Sequence, residues 1–133
     1  MEESEELVSE FKSQRGMKRV FYAFFYSVDG FKSAWKNEHA FRQELMLVTV
    51  GIVVAFFLDV NAFEKLMMIA VLLQILVVEL INSAIEAVVD RVSLERHSLS
   101  KRAKDLGSAA VLLTLLMAFA TWGVILYHRY MES

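Results

Sequence analysis

The stretch from Val77 to Asp90, which reads VVELINSAIEAVVD, carries acidic and amide side chains inside an otherwise apolar run. Its polar residues, which we call the polar seam, are Glu79, Asn82, Ser83, Glu86 and Asp90. Their spacing places them on one stripe of an α-helix. An ionised side chain at membrane depth costs roughly 2.5–3.5 kcal/mol on insertion scales, so a functional role is the default hypothesis. Two carboxylates that converge with an amide also suit a hard cation with oxygen ligands, Mg²⁺ above all.

The polar seam also has a structural interpretation, which stays open at this point. Asn and Ser side chains can hydrogen-bond neighbouring helices in a membrane, and carboxylates can pair with Lys or Arg. Asp90 is expected either to take part in the chemistry or to act as a helix-end group paired with Arg91 or Lys104.

The composition indicates an all-α integral membrane protein. Of the 133 residues 56% are hydrophobic, and Pro and Cys are both absent; the mean hydropathy is +0.44. Long, continuous apolar runs are typical of membrane spans. The lack of Cys excludes a disulfide framework and a thiolate metal site. The net charge of −2 gives no support to nucleic-acid binding.

Three spans are expected, at about 40–58, 63–89 and 106–127, within a membrane domain at 16–133. A short turn joins the first two spans, and a polar connector at 91–105 joins the last two. Small residues at the start of the third span, beginning with Gly107, permit close helix packing. An N-terminal surface helix at about 17–35 is expected to be amphipathic, with aromatic residues toward lipid and basic residues toward anionic headgroups. Residues 1–15 form an acidic extension.

The distribution of Lys and Arg predicts the topology. Seven precede Leu45, where the apolar run of the first span begins; one, Lys65, lies in the first turn, five lie in the polar connector and one lies in the tail. Because Lys and Arg are enriched on the cytoplasmic side, the N-terminus and the connector are expected there, and the C-terminus outside. Glu38, Glu86 and Asp90 would then lie at the cytoplasmic face, with Glu79 about two turns deeper.

A carboxylate cluster beside a basic connector is suited to phosphoryl transfer onto a lipid hydroxyl. The chain contains neither the GxxxxGK[ST] nor the GxGxxG phosphate-binding pattern, so a P-loop enzyme and a protein-kinase fold are excluded. The residues alone leave a lipid kinase, a small carboxylate-dependent transporter and a helical assembly factor as alternatives.

Three motifs carry a closer resemblance. VELINSAIEAVVDR, with NEHAFRQE before it and KRAKDLGSAAVLL after it, closely resembles the small prokaryotic diacylglycerol kinases over roughly residues 19–127. The Glu-x-x-Asn-x-x-x-Glu core is shared with the related undecaprenol kinases, so undecaprenol stays an alternative substrate. The resemblance implies a homotrimer in the bacterial inner membrane, with sites shared between subunits. It also implies transfer of the ATP γ-phosphate to diacylglycerol, giving phosphatidate.

The resemblance also implies roles for individual positions. Glu79 would be the general base on the lipid hydroxyl, with Asn82 in the same catalytic cluster, and Glu38 and Glu86 would bind Mg²⁺ with the nucleotide. The nucleotide site would comprise Arg19, Tyr26, Glu38, Glu86, Glu95, His97, Lys104 and Asp105. The lipid path would comprise Trp35, Arg42, Gln43, Glu44, Glu79, Ser108 and Trp122. Two departures from the family's pattern, Asp29 and a connector without glycines, fall on the nucleotide side.

Overall fold

The computed structural model describes residues 16–132, and every regular element among them is a helix. The helices are α1 (Met17–Asn37), α2 (His39–Phe57), α3 (Ala62–Val92) and α4 (Ser98–Tyr130). The predicted all-helical fold class is therefore confirmed. The acidic extension at 1–15 and the last residue, Ser133, lie outside the described residues.

The helix α1 belongs to a unit of its own, residues 1–37, separate from the unit formed by residues 38–133. It is continuous over 21 residues and covers the segment expected to be the surface helix. Its aromatic side chains are exposed and contact one another edge to face, with 4.9 Å between the ring centroids of Phe21 and Phe25. The placement of α1 in the membrane interface stays a prediction.

The second unit contains three helices that are each long and apolar enough to cross a membrane. They are α2, α3 and α4, and the expected spans at 40–58, 63–89 and 106–127 fall on them in order. This finding supports the prediction of a membrane protein with three spans. Large apolar side chains such as Phe57 and Phe119, which are 86% and 83% exposed, are suited to contact with lipid.

The core of this unit lies along α3, which packs against both α2 and α4. The side chains of Met68 and Ile75 on α3 are fully buried, as is that of Val48 on α2. Gly51 of α2 lies close to α3, since a Cβ there would lie only 2.6 Å from Cδ1 of Leu72. Close backbone approach at small residues is the usual way in which spanning helices gain packing contacts.

One end of the bundle is held by polar contacts around the turn between α2 and α3. Asn61 caps α3: its Oδ1 accepts from the backbone N–H of Glu64 at 2.8 Å, and the Glu64 carboxylate accepts from the Asn61 N–H at 3.1 Å. Near the end of α4, Arg129 pairs with Asp59, and the Tyr130 hydroxyl accepts from the Asp59 N–H at 3.3 Å. The last turn of α4 is therefore fixed to this turn.

Most of the predicted polar connector at 91–105 is helical. Helix α3 continues through Val92, and α4 begins at Ser98, so that only residues 93–97 are non-helical. The ring Nδ1 of His97 accepts from the backbone N–H of Leu99 at 3.0 Å and caps α4. Residues 98–105 are polar because they form about two exposed helical turns, which an apolar-run criterion does not detect.

Candidate active site

The polar seam runs along α3 from a buried centre toward an exposed end. The side chains of Glu79 and Asn82 are buried, with 4% and 8% of their surface exposed. Ser83 and Glu86 are half-buried, and Asp90 is exposed. Because burying an unpaired ionisable group is unfavourable, the placement of Glu79 at the buried end of the seam indicates a function beyond packing.

Two further carboxylates lie at the start of α2 and interact with the polar seam. Glu38 immediately precedes α2, and Glu44 lies in its second turn. Glu79 interacts electrostatically with both Glu38 and Glu86, and the Glu44 side chain lies directly beside it. Glu38 and Glu44 at the start of α2 therefore each interact with Glu79 of α3, as does Glu86, and we call these four residues the carboxylate cluster.

Three oxygen atoms in and beside the cluster are buried without a geometrically good hydrogen bond among residues 16–132: Oε2 of Glu44, Oδ1 of Asn82 and Oγ of Ser83. The side chains of Glu44 and Ser83 nevertheless interact with Glu79, which leaves Asn82 Oδ1 as the atom without any such contact. Buried polar atoms in folded proteins nearly always have a partner, so each such atom requires an explanation. A polar ligand that enters between α2 and α3 would give Glu44 Oε2 a partner, whereas Asn82 Oδ1 lies against Gly107 of α4.

The third helix contacts the seam through its backbone. Gly107 of α4 is buried, and a Cβ added to it would overlap the Asn82 amide, with the Cγ atom of Asn82 only 3.1 Å away. The expectation that small residues in this part of α4 permit close packing is confirmed at Gly107.

A cavity of about 620 Å³ lies at the same end of the bundle, between the end of α3 and the start of α4. Four of the predicted nucleotide-site residues line it: Glu95, His97, Lys104 and Asp105. Further polar residues that the sequence analysis did not assign to this site also line it: Asp90, Ser93, Arg96, Ser98, Ser100 and Lys101. The four-residue spacing of Lys101 and Asp105 predicts that their side chains lie on one face of a helix, but this prediction requires that 98–105 is first recognised as helical.

Lys104 connects this cavity to the carboxylate cluster. Its Nζ donates to Asp90 Oδ1 at 2.8 Å, and it also interacts electrostatically with Glu86. The pairing of Asp90 with Lys104, one of the two interpretations of Asp90, is therefore confirmed. Lys101 pairs with Asp105 at 2.6 Å on the neighbouring turn of α4.

The residues predicted for the lipid path do not form a single group in the structure. Arg42 and Gln43 both contact the ring of His39, at 3.2 Å and 3.3 Å. Glu44 reaches Glu79, whereas Ser108 is exposed on α4.

Trp122 lies far from Glu79. Its indole N–H donates to the backbone carbonyl of Met68 at 3.1 Å, and Met68 is eleven residues from Glu79 on α3, which is about 16 Å along a helix axis. Trp122 instead lines an apolar groove of about 420 Å³ to which α2, α3 and α4 all contribute.

The chain resembles known proteins over most of its length. The sequence profile of the family described as Prokaryotic diacylglycerol kinase matches residues 25–126. A diacylglycerol kinase of Pseudomonas aeruginosa is 57% identical over 118 residues, which are 89% of this chain and 96% of the relative. The diacylglycerol kinase of Escherichia coli strain K12 is 46% identical over 115 residues, 86% of this chain and 94% of the relative. A diacylglycerol kinase of Helicobacter pylori is 44% identical over 118 residues, with 89% and 92% covered.

The chain belongs to the prokaryotic diacylglycerol kinase family. This membership confirms that the resemblance of the three motifs was identified correctly, and with it the prediction of an enzyme of the diacylglycerol kinase type. The three apolar helices agree with the predicted membrane location.

Kinases of this type require a nucleotide and a metal in general, which raises the question of whether the donor set fits Mg²⁺. No group of three or more His, Cys, Asp or Glu residues that could hold a metal ion occurs in the described part of the chain. Mg²⁺ that acts with a nucleotide, however, is usually bound by one or two carboxylates, with phosphates and waters completing the shell. Glu38 and Glu86, which both interact with Glu79, fit this requirement.

Three predicted site residues lie on α1: Arg19, Tyr26 and Trp35. All three are exposed on that helix. Their assignment to the nucleotide site and the lipid path stays a prediction.

Proposed function

We propose that the protein transfers the γ-phosphate of MgATP to the hydroxyl of 1,2-diacylglycerol, giving phosphatidate. The observation that carries this proposal is the buried Glu79, which lies in the carboxylate cluster near a cavity lined by both basic and acidic side chains. The relatives that share most of the chain's length are named diacylglycerol kinases, which supports the same substrate.

Glu79 acts as the general base in this proposal. It accepts the proton of the lipid hydroxyl while the hydroxyl oxygen bonds to the γ-phosphorus and the bond from that phosphorus to the bridging oxygen of ADP breaks. In this proposal the lipid hydroxyl reaches Glu79 from the membrane, and the γ-phosphate approaches that hydroxyl from the side on which Glu38 and Glu86 lie. Asn82 belongs to the same catalytic cluster and helps to hold Glu79 in place.

The phosphate side of the reaction is served by acidic and basic residues together. Glu38 and Glu86 would hold Mg²⁺, which when bound neutralises charge on the nucleotide phosphates. Lys104 reaches the cavity and the cluster, so its ammonium is placed to stabilise negative charge on the transferred group. Glu95, His97 and Asp105 complete the nucleotide site together with Arg19 and Tyr26 of α1.

The lipid path begins near Arg42, Gln43 and Glu44, with Trp35 and Ser108 at its edge. Trp122 contributes to this path through the apolar groove. Because it lies about 16 Å from Glu79 along the helix axis, it would contact the lipid's acyl region and not its reacting hydroxyl.

The active protein is proposed to be a homotrimer in the bacterial inner membrane, with α1 amphipathic and lying in the cytoplasmic interface. The N-terminus and active site would face the cytoplasm, and the C-terminus the outside. The Lys and Arg distribution supports the orientation, and the exposed aromatic and basic residues of α1 support its place at the membrane surface. The trimer rests on the family resemblance. Sites shared between subunits are supported by the small enclosure that three spans provide.

The experiment that tests the proposed function measures ATP-dependent lipid phosphorylation by the purified protein in mixed micelles. Dioleoylglycerol and undecaprenol are compared with Mg²⁺ or EDTA, for the wild type, Glu79→Gln and the control Glu132→Gln. Loss of a general base lowers the rate by about 10²–10⁴-fold, so Glu79→Gln should be nearly inactive while Glu132→Gln stays active. Folded trimeric protein that phosphorylates neither lipid would overturn the proposal.

Undecaprenol kinase activity by the same mechanism is the main alternative, and the same assay distinguishes it through substrate preference. A carboxylate-dependent transporter is the alternative from another class. It predicts that ATP is irrelevant to activity, and family membership disfavours it.

A further inference from the structure

Helix α4 lies close to α3 at Gly107, where the helix backbone lies against the Asn82 amide. An added Cβ would overlap Asn82 Oδ1 and lie 3.1 Å from Asn82 Cγ, so a larger residue requires the Asn82 side chain or the helices to shift. Both residues are buried, so the amide is confined between two helices. This is a stronger constraint than the one at Gly51, where the added Cβ meets the end of the flexible Leu72 side chain.

The geometry assigns Gly107 as the positioning residue that sets the orientation of the Asn82 amide beside Glu79 and Glu86. This inference rests on the proposed function, since it concerns the same catalytic cluster. Gly107 touches no substrate in this proposal and acts only through Asn82.

The chemistry of the amide explains why its orientation matters. An Asn side chain has one acceptor oxygen and two N–H donors, on opposite branches of Cγ. Oδ1 lies against Gly107 and has no hydrogen-bond partner among residues 16–132. The two N–H donors are then on the other branch, where a carboxylate or phosphate oxygen can accept them. Asn82 lies between Glu79 and Glu86 on one stripe of α3, so a rotated amide would change what these acidic groups and the nucleotide meet.

The predicted effect is on turnover more than on binding. A Cβ at position 107 forces the amide to rotate or α4 to move away from α3. A displacement of about 1 Å near reacting groups can lower a rate by about 100-fold. We expect Gly107→Ala to lower kcat by about 10- to 100-fold, with KM for ATP and for dioleoylglycerol changed much less.

The control lies on the same helix. Gly123 has open space beside its Cα, where an added Cβ would meet nothing within 4 Å. Gly123→Ala makes the same chemical change in α4 without a collision, so its kcat should equal that of the wild type. A loss in both variants would mean that Ala in α4 harms the enzyme generally, and this would overturn the assignment of Gly107.

A double-mutant cycle with Asn82→Ala tests whether Gly107 acts through Asn82. Removing the amide removes the atoms that a Cβ would meet, leaving Asn82 Cβ at an ordinary 3.9 Å. Gly107→Ala should therefore lower the thermal midpoint of the purified protein in the wild-type background, and leave it unchanged or raised in the Asn82→Ala background. Equal lowering of the midpoint in both backgrounds would overturn the inference, whether or not Asn82→Ala retains measurable activity.

The outcomes separate this inference from the proposed function. If the wild type phosphorylates no lipid, the proposed function fails at once, before any variant is compared. If the wild type is active and Gly107→Ala matches Gly123→Ala in kcat, only the positioning role fails. Two results together support both the proposed function and the positioning role of Gly107. They are a lowered kcat of Gly107→Ala with little change in KM, and non-additive changes of the thermal midpoint in the double-mutant cycle.

Discussion

At the residue scale, the carboxylate cluster joins acidic groups that would repel one another if all were ionised without a partner. Glu79 interacts electrostatically with both Glu86 on its own helix and Glu38 at the start of α2. Like charges at short range in a membrane protein are unfavourable unless a cation or a proton compensates them. The cluster is therefore suited to bind a cation together with the nucleotide, and this can be tested at individual positions.

We predict that Glu86→Gln raises the Mg²⁺ concentration needed for half-maximal activity by at least about tenfold, since it removes one of two proposed ligands. The measurement is a Mg²⁺ titration of lipid phosphorylation at saturating ATP and dioleoylglycerol. Glu132→Gln, which removes a carboxylate that pairs with His128 far along α4, is the matched control and should leave the titration unchanged. An unchanged Mg²⁺ dependence in Glu86→Gln would exclude Glu86 as a ligand.

The roles of Lys104 and Asp90 can be separated because each has a different set of contacts. Lys104 reaches both Asp90 and Glu86, whereas the contact of Asp90 with Lys104 is a pairing across the helix ends. Loss of a hydrogen bond to a charged group is equivalent to roughly a tenfold or larger change in affinity, so Lys104→Met should raise KM for ATP by about that factor. Asp90→Asn should change it only slightly. The comparison uses initial rates over a range of ATP concentrations, and equal effects would assign Asp90 to the nucleotide site as well.

At the element scale, the start of α3 depends on the reciprocal contacts between Asn61 and Glu64. An N-cap side chain that is replaced by Ala typically lowers stability by about 1 kcal/mol. We expect Asn61→Ala to lower the free energy of unfolding by about this amount, without changing KM or kcat, since the cap lies at the opposite end of α3 from Glu86. Denaturant titration in micelles measures the stability, and lipid phosphorylation measures the kinetics. A large loss of activity in folded Asn61→Ala protein would show that the two ends of α3 are coupled.

The three spanning helices were predictable because an apolar run of about 20 residues is the sequence pattern typical of a membrane span. The start of α4 was missed because Lys101, Lys104 and Asp105 are polar, and polarity alone does not distinguish an exposed helical turn from a connector. The four-residue spacing of Lys101 and Asp105 is compatible with a helix, and the structure shows the two side chains paired. Hydropathy identifies the parts of a helix that face lipid, and it gives no information on turns that extend beyond the membrane.

The site was predictable within α3 and less so between helices. Spacing placed Glu79, Asn82 and Glu86 on one stripe, since a helix fixes their relative positions. No spacing rule relates Glu44 of α2 to Glu79, or Gly107 of α4 to Asn82, because those contacts depend on how the helices pack. The same limit explains Trp122, whose level along the bundle is set by its hydrogen bond to Met68.

At the scale of the whole molecule, the unit formed by residues 38–133 has two different polar ends. One carries the carboxylate cluster and the cavity with Lys104, and the other carries the pair of Arg129 with Asp59. The helices between them are apolar and largely exposed. A bilayer around this unit would separate the two ends completely, so the side on which each end lies determines whether ATP can reach the cluster.

The absence of cysteine makes this orientation directly measurable, because single cysteines can be introduced without any background. Val92 at the end of α3 is 81% exposed and does not line the cavity, and Glu132 follows the end of α4. We expect a membrane-impermeant maleimide to label Glu132→Cys in intact spheroplasts, and to label Val92→Cys only after permeabilisation. The positive-inside distribution of Lys and Arg is the physical reason, since cationic segments are retained on the cytoplasmic side. The cysteine-free wild type controls for non-specific labelling, and both variants must retain lipid phosphorylation. The reverse pattern would place the cluster outside the cell, away from ATP, and would contradict the proposed kinase reaction together with the topology.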